Sequence, residues 1–151
     1  VDAAEWVGPY NDLTFGFHQV AEYYYYPGWH EPGSTLEIII NKDAFNSLPA
    51  DLQAIMKYAA KSANQEMLDE YTARNNQALN ELINKHDVKL RKLPDDVLRK
   101  LREISDEVIQ DFIADDEMAQ KVHASYSDFK DQVINYHRIS EKAYIDTREL
   151  D

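Results

Sequence analysis

The chain has 151 residues and a mass of 17.6 kDa, which suits one domain, and 44% of its residues are hydrophobic, enough for a folded core. Sixteen basic residues against 28 acidic ones give a net charge of -12, which disfavours binding to nucleic-acid phosphates and to anionic membrane surfaces. The absence of cysteine excludes disulfides, thiolate metal sites and cysteine nucleophiles but leaves the compartment open.

Turn-forming residues are concentrated in the first third of the chain. Residues 1–49 hold all four glycines, four of the five prolines and ten of the seventeen aromatic residues. Because glycine and proline interrupt helices, residues 1–49 are predicted to form strands and loops, and residues 50–151 to form long helices. The start at Val1 rather than Met suggests a processed or truncated piece of a longer protein.

Three short strands are predicted. Residues 1–7 form the first, which ends at Gly8-Pro9, and a helix capped by Asn11 or Asp12 then continues to about Tyr24. Residues 36–40 are a β-branched apolar run, which is typical of a buried strand. Residues 88–93 alternate apolar and basic side chains as an edge strand does.

Two helices begin with the same pattern, a proline followed by acidic residues. The proline suits the first helical turn, and the carboxylates face the positive end of the helix dipole. The pattern occurs at Pro49 and Pro94, and the apolar spacing that follows predicts helices over residues 50–85 and 95–114.

Residues 116–149 also have helical apolar spacing. As one helix they would span about 50 Å, whereas a compact chain of this length has a diameter of roughly 40 Å. Either the helix breaks, near residues 125–128 or 137–140, or its far end packs on another body. That body would be a further domain of the polypeptide or a second copy of the chain.

The sequence contains five histidines and many carboxylates but no catalytic motif. It lacks HExxH, a glycine-rich phosphate loop and the G-x-S-x-G nucleophile turn. Acidic pairs such as Asp95-Asp96 are interpreted as helix caps and solvated faces. We therefore predict no catalytic residue.

Two clusters in the first third offer binding chemistry. The carboxylate of Glu5 and nearby backbone carbonyls are the hard oxygen ligands that Na⁺ or Ca²⁺ prefers, and Trp6 supplies an apolar wall. In residues 23–33, five aromatic rings accompany His30 and Glu31, a composition that can line a pocket and fix a small solute. The alternatives are an exposed acid beside a core tryptophan, and aromatic rings that only cap the core.

The same clusters resemble a known family. The runs VDAAEWVGPYND, YYYYPGWHEPG and LEIIINKDAFNSLPADLQ are similar, in this order, to the C-terminal half of the solute-binding proteins of tripartite ATP-independent periplasmic (TRAP) transporters. The strand followed by NKxxFxSLP is shared across that family. The motifs EW and GWHEP resemble those of the receptors for 2-oxo acids and related monocarboxylates. The resemblance covers essentially the whole chain.

The resemblance implies a role for each cluster residue. Glu5 and the backbone carbonyl of Trp6 match positions that bind a cation, usually Na⁺ and in some relatives Ca²⁺, which bridges to the solute carboxylate. Trp6, Trp29, His30 and Glu31 match positions in or beside the solute pocket. The arginine that pairs with the carboxylate in such receptors belongs to an upstream segment, so the chain alone is expected to bind 2-oxo acids weakly or not at all.

The resemblance also implies a fold and partners. The expected fold is α/β and helix-dominated, a partial periplasmic-binding-protein lobe with about three short strands and long C-terminal helices. Residues 1–151 would be the single C-terminal portion of a two-lobed periplasmic receptor without enzymatic activity, with residues 1–49 lining the cleft.

The implied partners are a small carboxylate solute, the membrane permease subunits and a second copy of the chain that exchanges the C-terminal helix. Two rival functions stay open. One is a helical dimerisation or interaction module without small-molecule binding, and the other is a cation-dependent enzyme on small carboxylic acids.

Overall fold

The computed structural model describes residues 2–33 and 36–150, with Glu149 described by its backbone alone. The helix-dominated α/β fold that the sequence predicts is confirmed. In chain order the elements are α1 (Pro9–Thr14), a 3-10 turn (Phe17–Gln19), β1 (Tyr23–Tyr26), α2 (Lys42–Asn46), α3 (Ala50–His86), β2 (Lys89–Lys92), α4 (Asp95–Ile113), α5 (Glu117–Ile139), α6 (Glu141–Asp146) and a second 3-10 turn (Thr147–Glu149). The described residues form two compact units, one ending at Pro94 and the other beginning at Asp95.

Helix α1 is shorter than the sequence predicts. Pro9 occupies its first turn, but the helix ends at Thr14, because Gly16 adopts a left-handed φ of 73° that a residue without Cβ reaches without strain. The amide of Gly16 donates to the carbonyl of Leu13 at 3.1 Å and satisfies one of the last helical carbonyls. The predicted continuation to Tyr24 is therefore wrong, since a 3-10 turn and strand β1 occupy those residues.

The two strands form one parallel pair. Tyr23 lies opposite Lys89 and Tyr26 opposite Lys92, so that a strand of four tyrosines runs beside a basic one. Strand β2 confirms the strand predicted at residues 88–93, whereas β1 is not among the predicted strands. Parallel strands need a long crossover, and α3 supplies it.

The strands predicted at residues 1–7 and 36–40 are wrong for the described part of the chain. Residues 2–7 and 36–40 have irregular backbone and pair with neither β1 nor β2; residue 1 lies outside the described residues. The side chains of Leu36, Ile38 and Ile39 are 65%, 64% and 84% exposed. A strand is completed by hydrogen bonds to a neighbour, so a β-branched composition is not sufficient without one.

Helix α3 confirms the helix predicted over residues 50–85, and the small core of the first unit lies at its C-terminal end. Ala78, Leu82 and Val88 are the buried hydrophobic residues there. Asp87 ends the helix with a left-handed φ of 54°, and the amide of Val88 then donates to the carbonyl of Leu82 at 3.1 Å. This turn directs the chain into β2.

Helix α1 is fixed on α3 through Tyr10. The amide of Tyr10 donates to Oδ1 of Asn75 at 3.1 Å, and its ring meets Tyr71 edge-on with the ring centroids 5.8 Å apart. The short helix α2, which the sequence did not predict, begins where Oδ1 of Asn41 accepts a hydrogen bond from the amide of Ala44 at 2.9 Å.

The second unit consists of α4, α5 and α6. Helix α4 confirms the helix predicted over residues 95–114. Helix α5 ends at Ile139, and α6 begins after Ser140, which confirms the predicted break near residues 137–140. The 23 residues of α5 span about 35 Å. None of the helices in the described part of the chain carries an apolar run of the length that a bilayer requires.

Candidate functional site

The side chains of Glu5, His30 and Glu31 form the candidate site. One ligating atom of each residue lies within 4.8 Å of those of the other two, and Nε2 of His30 is 3.7 Å from Oε2 of Glu5. All three side chains are exposed. Glu5 precedes α1, whereas His30 and Glu31 follow β1, so the fold joins two segments that are distant in sequence.

The spacing of these ligating atoms fits a single cation. Calcium binds oxygen ligands at about 2.3–2.6 Å, so two ligands on opposite sides of one ion are at most about 5 Å apart. Two carboxylates and one imidazole within 4.8 Å of one another satisfy that limit. The carboxylates suit calcium, whereas imidazole is more typical of transition-metal sites.

The loop after β1 begins from a fixed strand. The amide of Lys89 donates to the carbonyl of Glu22 at 2.9 Å, and the amide of Leu93 donates to the carbonyl of Tyr26 at 2.8 Å, so both ends of β1 are held. At Gly28 a Cβ atom would lie 3.1 Å from the carbonyl oxygen of Glu31. This close approach favours glycine at position 28, in the loop that carries His30 and Glu31.

The two tryptophans predicted at the solute site are the sequence neighbours of Glu5 and His30. The ring of Trp29 lies 4.9 Å from that of His30, and the ring of Trp6 meets Phe15 edge-on at 5.8 Å, measured between centroids. Trp6 is 54% exposed and Trp29 is 44% exposed. The structure therefore brings His30 and Glu31 to Glu5, and it gives the indoles open positions on the adjoining segments.

A part-buried hydrogen bond joins Asp12 on α1 to Tyr24 on β1, the two elements that follow and precede the site segments. The hydroxyl of Tyr24 donates to Oδ2 of Asp12 at 2.5 Å, and Asp12 is only 6% exposed. Burial raises the pKa of the Asp12 carboxyl, the hydrogen bond from Tyr24 opposes that rise, and the charge of Glu5 adds to it. Burial, and then the hydrogen bond to Asp12, also raise the pKa of the Tyr24 hydroxyl.

Sequence reasoning missed this pair. It considered Asp12 only as a helix cap, and it placed Tyr24 at the end of a helix or among loop aromatics. The partners are 12 positions apart and belong to different elements, so no local spacing marks them. The one local signal is that Asp12 is directly followed by the apolar Leu13 in a short helix, a pattern too common to identify a buried acid.

Comparison with known proteins gives the family. Residues 1–116 match DctP, bacterial extracellular solute-binding protein family 7. The chain is 37% identical over 144 residues to the monocarboxylate 2-oxoacid-binding periplasmic protein of Nostoc sp. strain PCC 7120, an alignment that covers 95% of this chain and 39% of that protein.

A solved structure agrees with this match. The fold is similar, with a TM-score of 0.92 and 30% identity, to the crystal structure of a TRAP transporter solute-binding protein from Bordetella bronchiseptica RB50. That protein is a mixed-occupancy dimer with copurified calcium and picolinate in one active site and an apo site in the other. The similarity covers 98% of this chain and 44% of the Bordetella protein, so the chain spans about two fifths of the length of these relatives. The chain belongs to the DctP family, the solute-binding proteins of TRAP transporters.

Proposed function

We propose that the chain is part of a periplasmic TRAP transporter receptor that captures a 2-oxo acid or related monocarboxylate with a bridging cation. The observation that carries the proposal is the meeting of Glu5, from before α1, with His30 and Glu31, from after β1. The name of the Nostoc relative supports the class of solute, and the calcium in the Bordetella structure supports a cation.

Charge supports Ca²⁺, the alternative ion of the sequence analysis, over Na⁺. The carboxylates of Glu5 and Glu31 lie in one cluster of a chain whose net charge is -12, and a carboxylate solute would add another negative charge. A divalent ion offsets twice the charge of a monovalent one at the same distance. We thus propose that the cation is bound by the carboxylate of Glu5 and by the backbone carbonyl of Trp6, which the family resemblance implies.

The chemistry of picolinate supports the same solute class. Picolinate carries a ring nitrogen on the carbon that bears its carboxylate, and a 2-oxo acid carries a carbonyl oxygen at the equivalent place. Both ligands present two adjacent donors to one cation. We propose that Trp6 and Trp29 contact the apolar part of such a solute, while His30 and Glu31 supply polar contacts beside the cation.

The proposed receptor is periplasmic, works with membrane permease subunits and carries out no chemical step. Residues 1–151 would be the C-terminal portion of its two lobes, with residues 1–49 lining the cleft and residues 50–151 supporting it. The shares of the relatives that this chain covers, 39% and 44%, support its being one part of a longer receptor.

The test is calcium titration of the full-length protein by calorimetry. Glu5→Gln removes one charged ligand and keeps the side-chain shape, and we expect calcium affinity to fall by about tenfold or more, since even residues that only support a metal ligand cost about 10–100-fold. Glu37→Gln, the same change at an exposed acid outside the cluster, should keep the wild-type affinity. Equal calcium affinities of the Glu5→Gln and wild-type proteins would remove Glu5 from the site.

A specific observation favours a second candidate, a dimerisation module. Four large apolar side chains on α5 follow helical spacing and are 60–66% exposed: Met118, Val122, Tyr126 and Phe129. Such a stripe is typical of a contact between helices of two chains, and the dimeric Bordetella structure supports a homodimer. We propose that the receptor dimerises through this C-terminal helix face, which makes the two candidate functions compatible.

A further inference from the structure

We propose that Asp12 and Tyr24 are positioning residues, which hold the two segments of the candidate site at the separation that cation binding requires. This inference rests on the proposed function, because it concerns the affinity of the site formed by Glu5, His30 and Glu31. It assigns a role to a part-buried pair that does not itself belong to the cluster of ligating atoms.

Backbone hydrogen bonds do not tie the two segments to each other. No backbone hydrogen bond joins residues 2–7 to residues 27–33. His30 and Glu5 are 3.7 Å apart at exposed positions, where an ion pair contributes little. We therefore assign the separation of the segments to the elements that carry them, α1 and β1.

The Asp12–Tyr24 hydrogen bond joins those two elements directly. On the α1 side, the amide of Asp12 donates to the carbonyl of Gly8 at 3.0 Å, which fixes the carboxylate relative to the chain that leads back to Glu5. On the β1 side, Tyr24 lies in the strand that is hydrogen-bonded at both ends and leads on to His30. The 2.5 Å contact between Oδ2 and the hydroxyl thus links two fixed points.

The burial of Asp12 indicates a role other than stability. Its second oxygen, Oδ1, is buried and has no hydrogen-bond partner in the described part of the chain. A buried carboxylate with one unsatisfied oxygen costs free energy that an apolar residue would not. Side chains that reduce stability are expected where they serve a functional site. The functional site near Asp12 is the cluster of Glu5, His30 and Glu31, since the charge of Glu5 contributes to the raised pKa of the Asp12 carboxyl.

The test is the calcium affinity of Tyr24→Phe in the full-length protein, measured by calorimetry. This change removes one hydroxyl and keeps the ring, and we expect affinity to fall about threefold to tenfold, which is the net contribution of one ordinary intramolecular hydrogen bond. Asp12→Leu should cause a similar fall. The calcium affinity of the double variant Asp12→Leu/Tyr24→Phe should be no lower than that of either single variant, because both changes remove the same hydrogen bond. Asp12→Asn keeps an oxygen that can accept the hydrogen bond from Tyr24, so its calcium affinity should stay close to that of the wild type.

Two controls separate positioning from general stability. Tyr25→Phe removes the hydroxyl of the neighbouring, exposed tyrosine and should bind calcium like the wild type. Ala78→Gly destabilises the buried end of α3 without touching the site, so its melting temperature should fall while its calcium affinity stays unchanged.

Each contrary result has a distinct meaning. Wild-type calcium affinity in Tyr24→Phe, beside impaired binding in Glu5→Gln, overturns this inference and leaves the proposed function intact. An affinity loss in Ala78→Gly as large as that in Tyr24→Phe also overturns it, because stability alone would then explain the effect. Wild-type affinity in Glu5→Gln overturns the proposed site and this inference together.

Discussion

Asp12 shows how a single side chain can oppose the stability of the fold that contains it. Its carboxyl is 6% exposed, accepts one hydrogen bond from Tyr24 and leaves Oδ1 buried without a partner. Burial raises the pKa of this carboxyl above its ordinary value of 3.8, although the hydrogen bond from Tyr24 works in the other direction. The folded protein therefore binds the Asp12 proton more tightly than the unfolded chain does.

This pKa shift predicts a pH-dependent effect of Asp12→Asn. Because the folded-state pKa is raised, the contribution of Asp12 to stability is present below pH 3.8 and is lost as pH rises through the folded-state value. At about pH 7 the charged carboxylate is a net cost, and the neutral amide avoids it while still accepting from Tyr24. We expect Asp12→Asn to melt at a higher temperature than the wild type at neutral pH.

Thermal unfolding followed by circular dichroism at several pH values checks this expectation. The difference between Asp12→Asn and wild type should shrink as pH falls and vanish once Asp12 is protonated in both states. Asp115→Asn, an exposed position, should leave the melting temperature unchanged. A variant less stable than the wild type at neutral pH would mean that the charged hydrogen bond outweighs the cost of burial.

At the scale of single residues, the sequence identified the members of the candidate site but not their arrangement. The sequence analysis predicts Glu5, with the backbone carbonyl of Trp6, at a cation, and predicts His30 and Glu31, with the two tryptophans, at the solute. Their meeting depends on α1 ending at Thr14, just before Gly16, and on β1 starting at Tyr23, where the sequence predicts one helix that continues to about Tyr24. Residue chemistry is local information, whereas the distance between two segments is not.

At the scale of helices and strands, local sequence patterns again predict local structure but not contacts between distant segments. Helices α3 and α4 agree with their predictions to within one residue at each end, because helical hydrogen bonds join residues four apart and local spacing is enough to specify them. Strands need partners from elsewhere, so residues 36–40, with the strongest strand composition, remain unpaired in the described chain. Tyr23–Tyr26, with no alternation of apolar and polar residues, becomes a strand because Lys89–Lys92 pairs with it.

Helix α5 offers a direct test of one helix terminus. Oδ1 of Asp116 accepts hydrogen bonds from the amides of Met118 at 2.8 Å and Ala119 at 2.9 Å, which satisfies two donors that the first turn leaves free. Asp116→Ala should lower the free energy of unfolding by about 1 kcal/mol.

Urea denaturation followed by circular dichroism measures this loss. Asp115→Ala removes the neighbouring exposed acid and should change the free energy of unfolding by less than about 0.5 kcal/mol. Equal losses in the two variants would show that negative charge near the start of α5, rather than the hydrogen bonds of Asp116, stabilises the helix.

For the molecule as a whole, the exposed apolar surface is the feature that points beyond a single chain. Ala78, Leu82 and Val88 are the buried hydrophobic residues among those described, whereas large apolar side chains along α5 are exposed. Because the chain spans about two fifths of the length of its relatives, either the rest of such a protein or a second copy can cover this face. Covering the α5 face with a second copy would bury apolar surface that the single chain leaves in water.

The double variant Val122→Glu/Phe129→Glu tests this dimer. Both residues lie on the exposed apolar face of α5, and two carboxylates there should repel a second copy and give a monomer in sedimentation velocity. Ala124→Glu adds a charge on the opposite side of the same helix and should leave the sedimentation coefficient unchanged. A double variant that sediments like the wild type would exclude this face as the contact.

The parallel pairing of β1 with β2 has a consequence for synthesis of the chain. Tyr23 pairs with Lys89, so the first strand leaves the ribosome 66 residues before its partner. At about 5–20 residues per second this gap lasts roughly 3–13 s. A nascent strand of four tyrosines is thus left without its neighbour for seconds while α3 forms within microseconds of its own synthesis.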